Sequence, residues 1–170
     1  LDVQAAARKA RAASMSPREL RASFPEQMVA AGRLGQKTGA GWYKYDENRK
    51  QSPDPETDAL IAAHAEKHGL TRREIGADEI RERLLYAMVN EGAKILDEGI
   101  APRPHEIDVS MINGLGFPSY TGGPMFWADQ IGLAKVLASI EKFRAEHGDE
   151  YWTPSKLLVK HAGEGKGFYS

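Results

Sequence analysis

Apolar side chains recur along most of this chain at helical rather than strand spacing. The strongest run lies within residues 79–98, where Ile80, Leu84 and Met88, and then Leu85, Val89 and Leu96, stand three, four or seven positions apart. That spacing lines one side of a helix, and residues 79–98 would span about 30 Å at 1.5 Å per residue. Asp78 is the expected N-cap, and Gly99 followed by Pro102 and Pro104 supplies the stop. Leu60, Ile61 and Ala65 predict a helix over 56–68 that ends at Gly69. A shorter apolar helix runs from Ile107 to Leu115, and Val136, Leu137, Ile140 and Phe143 mark another from Leu133 to His147. Residues 120–132 read as a loop or short helix broken at Gly122-Gly123-Pro124. Leu157, Leu158 and Val159 belong to a last helix starting at Thr153-Pro154.

The first fifty residues are more interrupted. Leu1 to Ala10 has the composition of a helix interior, without the long apolar core of a signal peptide. With Leu at position 1, the sequence is expected to be a piece of a longer protein. Ser16-Pro17 with Glu19 starts a helix, Pro25 divides the stretch in two, and the second part passes Met28 and Val29 to stop at Gly32. A glycine-rich loop follows to Gly41, then a short extended segment over Trp42-Tyr43-Lys44-Tyr45. The polar run from Asp46 to Pro55 reads as a linker. No long alternation of period two appears, so the expected class is all-α.

Composition narrows the function. The 170 residues are 41% hydrophobic and 28% charged, with a formal net charge of -1, which suits a packed core in one domain or two small lobes. No run approaches the ~20 apolar residues of a membrane span. With no cysteine, disulfides, thiolate metal sites and a cysteine nucleophile are excluded, and a cytoplasmic location is the simplest expectation. Residues 1–50 carry 10 Lys+Arg against 5 Asp+Glu, and residues 51–170 carry 13 against 19. The asymmetry reads as two segments whose charges offset, or as a face for an anionic partner. Nucleic-acid binding through residues 1–50, which would weaken steeply with salt, is not expected for a chain near neutrality.

Chemical motifs fail one after another. Gly35-Gln36-Lys37-Thr38 does not place lysine directly after the glycine, as a P-loop requires. Gly39-Ala40-Gly41 and Gly114-Leu115-Gly116 lack the third glycine and preceding strand of a dinucleotide fingerprint. The glycine loop is therefore read as a tight basic turn. His64 and His68 share a helix face, but no glutamate follows His64, so they read as a solvated face rather than a zinc site. His105, His147 and His161 read as surface residues, and no Gly-x-Ser-x-Gly occurs. The pairs Asn90/Glu91 and Asp108/Asn113 are read as caps and backbone hydrogen bonds. Gly92-Ala93 in mid-helix indicates that another helix packs close there. The aromatic clusters at 42–45, 117–127 and 151–152 read as core and interface anchors.

Three strings carry a resemblance. Residues 32–43, Gly-Arg-Leu-Gly-Gln-Lys-Thr-Gly-Ala-Gly-Trp-Tyr, resemble the turn that closes the C-terminal helical domain of 3-hydroxyacyl-CoA dehydrogenases. Residues 90–101, Asn-Glu-Gly-Ala-Lys-Ile-Leu-Asp-Glu-Gly-Ile-Ala, resemble the long helix of a second copy of that domain. Residues 113–118, with Gly122-Gly123-Pro124-Met125-Phe126-Trp127-Ala128-Asp129, resemble the segment after it. Together they resemble the multifunctional fatty acid β-oxidation proteins, in which an enoyl-CoA hydratase domain precedes the dehydrogenase. The resemblance implies an all-α helical bundle like the 6-phosphogluconate dehydrogenase C-terminal-domain-like fold. Residues 1–50 would end the first helical domain and residues 51–170 form the second. It implies oxidation of (3S)-3-hydroxyacyl-CoA with NAD bound by a Rossmann domain outside this sequence. The implied partners are that domain, the hydratase domain and the acyl-CoA substrate. None of the family's catalytic, cofactor-binding or metal-binding residues maps onto this chain, so it is expected to be inactive alone. Asn113 stands where some relatives carry a substrate-contacting tyrosine, and is the candidate substrate-binding residue. The alternative is a self-standing helical interaction or acyl-CoA-binding module without redox chemistry.

Overall fold

The computed structural model describes residues 1–21 and 24–170, and of Arg18 and Arg21 the backbone alone. The chain divides into two compact units, Leu1–Glu74 and Ile75–Ser170. The first contains α1 (Asp2–Arg11), α2 (Pro17–Arg21), α3 (Phe24–Ala30), a hairpin of β1 (Lys44–Tyr45) and β2 (Gln51–Ser52), and α4 (Pro55–Lys67). The second contains α5 (Ala77–Asp97), α6 (Pro104–Leu115), α7 (Pro124–Ile131), α8 (Leu133–His147), α9 (Asp149–Trp152) and α10 (Lys156–Glu164). The class is all-α, with two-residue strands as the only sheet among the described residues.

In the first unit, α2 begins as its sequence dictates. Ser16 Oγ accepts from the Glu19 amide at 3.1 Å, and the Glu19 carboxylate accepts from the Ser16 amide at 2.9 Å. This reciprocal capping satisfies two donors that a helix start otherwise leaves open. Pro25 lies in the first turn of α3, and whether the chain divides just before it, at 22 and 23, falls outside the described residues. Phe24 and Met28 on α3 and Ala65 on α4 are buried. Arg8 on α1 donates to Glu26 at 2.6 Å and to the Glu19 carbonyl at 2.6 Å.

The stretch expected to be a linker is instead a turn with a job in the fold. Asp46 accepts from the amides of Asn48 at 2.9 Å and Lys50 at 2.8 Å, which folds β2 back on β1 in antiparallel register, Lys44 opposite Ser52. Asp54 then caps α4, accepting from the Glu56 amide at 3.2 Å, with Pro55 at the first helical position. Residues 51–74 thus pack with the first unit. The break in contacts falls at Glu74/Ile75, beyond residue 50, because local charge pairing holds 54–57 against the glycine loop.

The second unit has one core. Tyr86, Val89 and Ala93 on α5 meet Met125 and Ala128 on α7, and Leu133, Val136, Ile140 and Phe143 on α8. Trp152, Leu158 and Phe168 close it. The α5 stripe is right in Val89 but wrong in its other edge: Ile80 and Leu84 are 48% and 63% exposed. The burial axis is set by Tyr86 and by the small pair Gly92 and Ala93, not by that apolar row. α5 starts after Gly76, so Asp78 lies in its first turn, not at the cap. α6 starts earlier than expected, at Pro104. α10 starts later, where Ser155 Oγ accepts from the Leu157 amide at 3.2 Å.

Gly92 is the close approach expected from the sequence. A β-carbon there would sit 2.5 Å from the sulfur of Met125, which is fully buried. Gly92→Val should therefore destabilise the second unit by about 2 kcal/mol, the usual cost of overpacking a tight core, in a urea titration. An unchanged midpoint would show that the helices have room to separate.

Candidate functional site

The chemistry of the second unit gathers around a helix start. A helix leaves its first amides without internal partners. In α7, Pro124 has no N–H to satisfy, and the Trp127 amide donates to the Gly123 carbonyl at 2.9 Å. The two donors between them, Met125 and Phe126, donate to the two carboxylate oxygens of Asp108 on α6, at 2.7 and 3.0 Å. Asp108 is buried, and its negative charge lies at the positive end of α7. A β-carbon at Gly123 would meet the Asp108 carboxyl carbon at 2.5 Å, and φ there is 98°, so only glycine lets the carboxylate in.

The chain's last residues fasten this arrangement. The Tyr169 hydroxyl donates to Asp108 at 2.6 Å. Asp129, near the other end of α7, accepts from the amides of Phe168 at 2.7 Å and Tyr169 at 3.0 Å. Gly167 lets this happen, since a β-carbon would lie 2.5 Å from an Asp129 oxygen. Burial raises the Tyr169 phenol pKa well above its ordinary value of 10.0, and the Asp108 hydrogen bond and charge push the same way. A second buried clamp holds the other side: Asn90 Nδ2 donates to the Thr153 carbonyl at 2.9 Å, and the Ser155 amide donates to Asn90 Oδ1 at 2.8 Å.

In the first unit the glycine loop lies against a buried guanidinium. Arg33 donates to Asp54, to Glu56 at 2.9 Å, to Thr57 Oγ1 at 2.8 Å and to the Gly41 carbonyl at 3.1 Å. The hydrogen bond from Arg33 holds the Asp54 carboxyl below its ordinary pKa.

The residues singled out from sequence separate into three groups. Asp108 is a cap, as read, but for a helix sixteen residues on and without Asn113 as its partner. Asn113 is exposed near the end of α6. Large exposed apolar groups follow it, Leu115 at 76% and Tyr120 at 91%, with Phe126 also exposed on α7. Asn90 and Glu91 are not a pair, since Glu91 is exposed and bonded to Lys94 at 3.2 Å. His64 departs from the solvated-face reading: it is buried, bonded through Nδ1 to Gln27 Nε2 at 2.9 Å and packed on Phe24 and His68. Neither glycine pair can seat a dinucleotide, which needs a strand leading into a helix N-terminus. Gly39 and Gly41 lead into β1, and Gly114 and Gly116 end α6. The roles of Asp129 and Tyr169 are missing from the sequence reading. The only local signal for them is glycine at 167 in a short tail.

Comparison with known proteins gives the family. The family model described as 3-hydroxyacyl-CoA dehydrogenase, C-terminal domain, matches residues 1–45 and 80–168. The peroxisomal bifunctional enzyme of Cavia porcellus is 43% identical over 143 residues, 82% of this chain and 20% of that protein. The Homo sapiens peroxisomal bifunctional enzyme is 42% identical over 145 residues, 84% of this chain and 20% of its own length. The crystal structure of the dehydrogenase part of multifunctional enzyme 1 from C. elegans aligns with a TM-score of 0.59 at 27% identity, covering 81% of this chain and 32% of that one. The chain spans about a fifth of the length of the two curated relatives. It belongs to the family of 3-hydroxyacyl-CoA dehydrogenase C-terminal domains.

Two pH effects follow from these groups. A raised phenol pKa means that the stability Tyr169 contributes is complete below pH 10 and is lost as pH climbs toward its folded value. Tyr169→Phe should cost about 1 kcal/mol near neutrality, the net worth of one half-exposed hydrogen bond, and the gap to wild type should narrow above pH 10 in denaturant titrations. A pH-independent gap would contradict the assignment. A lowered Asp54 pKa works in the opposite sense: its contribution is present above the ordinary carboxylate range and is lost as pH falls through the depressed value. Arg33→Met should therefore be less stable than wild type near neutrality in denaturant titrations, with the gap narrowing as pH falls through the depressed Asp54 value, and a pH-independent gap would contradict the pairing.

Proposed function

We propose that this chain is the C-terminal helical part of an NAD-dependent 3-hydroxyacyl-CoA dehydrogenase within a multifunctional fatty acid β-oxidation protein, and that it carries none of the reacting groups. Residues 1–50 belong in this reading to the end of a first helical domain and residues 51–170 to a second, whose first stretch, 51–74, packs with the first unit. NAD, which accepts the hydride when bound, is held by a dinucleotide domain elsewhere in the longer polypeptide. The observation that carries the reading is the family match at both 1–45 and 80–168. A chain built this way contributes by position. Its packed helices hold one side of an acyl-CoA cleft at a fixed distance from the nucleotide, the kind of constraint that lowers the entropic part of a barrier.

Asn113 is the side chain we assign to the substrate. Its amide both donates and accepts, it is exposed, and the apolar groups at Leu115, Tyr120 and Phe126 on α6, the following turn and α7 offer contacts to the rest of an acyl-CoA. The partners are then the upstream dinucleotide and hydratase domains. None of the described helices is long and apolar enough to cross a membrane. The two curated relatives above are named as peroxisomal, so the cytoplasm is only one of the aqueous compartments in which this reading works.

The purified chain, given NAD and a (3S)-3-hydroxyacyl-CoA, should yield no NADH, whereas a longer polypeptide that includes the dinucleotide domain should. In that longer protein Asn113→Ala should raise KM about tenfold, the value of one lost hydrogen bond, with kcat nearly unchanged. NADH formed by the chain alone would overturn the assignment, and an unchanged KM would remove Asn113 from the substrate.

A further inference from the structure

The second unit buries a polar group for which its fold has no partner. Tyr86 on α5 is 2% exposed, and a hydroxyl so placed is normally hydrogen-bonded within the protein. The Tyr86 hydroxyl makes no hydrogen bond among the described residues. The residue instead lines a hollow of ≈ 280 Å³ where α5, α7 and α8 meet. Phenylalanine would pack on Trp127 equally well, at the same ring distance of 5.7 Å, without leaving that donor unmet. Burial, and then the charge of Glu82 one turn earlier on α5, hold the Tyr86 phenol above its ordinary pKa of 10.0, so a carboxylate lies near the hydroxyl.

The same hollow carries charges of both signs. At its rim Asp78 and Arg81 satisfy each other at 2.6 Å. Glu82 and Lys135 do not. They line the hollow from α5 and from α8, and neither stands in an ion pair among the described residues. Glu82 is part-buried, so its carboxylate loses hydration without gaining a partner. Lys135 is exposed. Trp127 and Ile131 on α7 add apolar surface, and the Trp127 indole N–H has no acceptor among the described residues either. A lone cation entering here would meet Lys135, and a lone anion would meet Glu82. A molecule with opposite charges at its two ends meets neither objection.

We propose that this hollow binds a small zwitterion: its ammonium on Glu82 and the Tyr86 hydroxyl oxygen, its carboxylate on Lys135, and its short aliphatic middle against Trp127 and Ile131. The ammonium gains charge-assisted hydrogen bonds, and Tyr86 gains the partner that the fold does not supply. The volume suits a ligand smaller than a drug molecule, whose pockets start at about 300 Å³. Asn113 is not among the lining residues, so the inference does not rest on the acyl-CoA assignment.

The test titrates the whole chain with α-aminobutyrate and γ-aminobutyrate, isomers that hold the two charges close together and far apart. Butylammonium and butyrate, with one charge each, serve as one-ended analogues, and the indole N–H signals of Trp42, Trp127 and Trp152 are followed by NMR. At least one isomer should move the Trp127 signal alone, with a Kd on the order of 1 mM. Each one-ended analogue should bind at least about tenfold more weakly. Glu82→Gln should weaken binding about tenfold and Lys135→Met, at an exposed position, about threefold. Tyr86→Phe should weaken it about threefold with a urea midpoint no lower than wild type, because the fold loses no hydrogen bond. No movement of Trp127 with either isomer, equal movement of all three indoles, a one-ended analogue that binds as tightly, or full affinity in Glu82→Gln would each overturn the proposal. So would a Tyr86→Phe chain that keeps its affinity and loses stability, since the hydroxyl would then serve the fold. NADH formation plays no part in the readout, so its outcome is separable from that of the functional assignment.

Discussion

In the second unit the meeting of α6, α7 and the tail is arranged around one buried carboxylate. A charge with no partner inside a protein is costly, and a helix start without acceptors is costly too. Asp108 removes both penalties at once by taking the only two amides of the first turn of α7 that lack another acceptor, and it does so from a different helix. The angle between α6 and α7 is then fixed by hydrogen-bond geometry as well as by packing. The tail adds a third point through Tyr169, and Asp129 adds a fourth. Glycine at 123 and at 167 follows from the carboxylates, not from flexibility: each is the residue that leaves room for an oxygen.

Under the proposed function, this constraint is what the chain contributes to the cleft. A substrate cleft demands walls that do not shift as the reaction proceeds. The core of α5, α7 and α8, with Met125 seated over Gly92, supplies the packing, and the carboxylate network supplies the orientation. The exposed apolar groups Leu115, Tyr120 and Phe126, at the end of α6, in the next turn and on α7, are the part that the proposed function gives to an acyl-CoA. Helices of this sort are a frame.

Much of the helical content is legible in the sequence because local spacing and punctuation determine it. α8 runs over Leu133–His147 as its apolar spacing predicts, and Gly99 and Gly116 end their helices with positive φ. What fails is whatever depends on distant partners. Ile80 and Leu84 carry the right period and still face outward, because the side of α5 that packs is chosen by Tyr86, Gly92 and Ala93. His64 is buried by Gln27, thirty-seven residues earlier. The polar run 46–55 looks like a linker by composition, but its aspartates are spent on a tight turn and on a helix cap that anchors Arg33. Asp108 and Asn90 are recognisable as polar groups in need of partners. Their partners lie up to sixty-five residues away, and no period in the sequence announces them.

The central claim is that α6, α7 and the tail form one cooperative structure through two carboxylates. It is tested most directly by amide exchange in Asp129→Ala, read at Met125 and Phe126 rather than at the tail. If the claim holds, releasing the tail withdraws the Tyr169 hydroxyl from Asp108, so exchange quickens at Met125 and Phe126 as well as at Phe168 and Tyr169, although Asp129 touches neither of the first two amides. If only the tail amides respond while Met125 and Phe126 keep their protection, the two carboxylates act separately and the account fails.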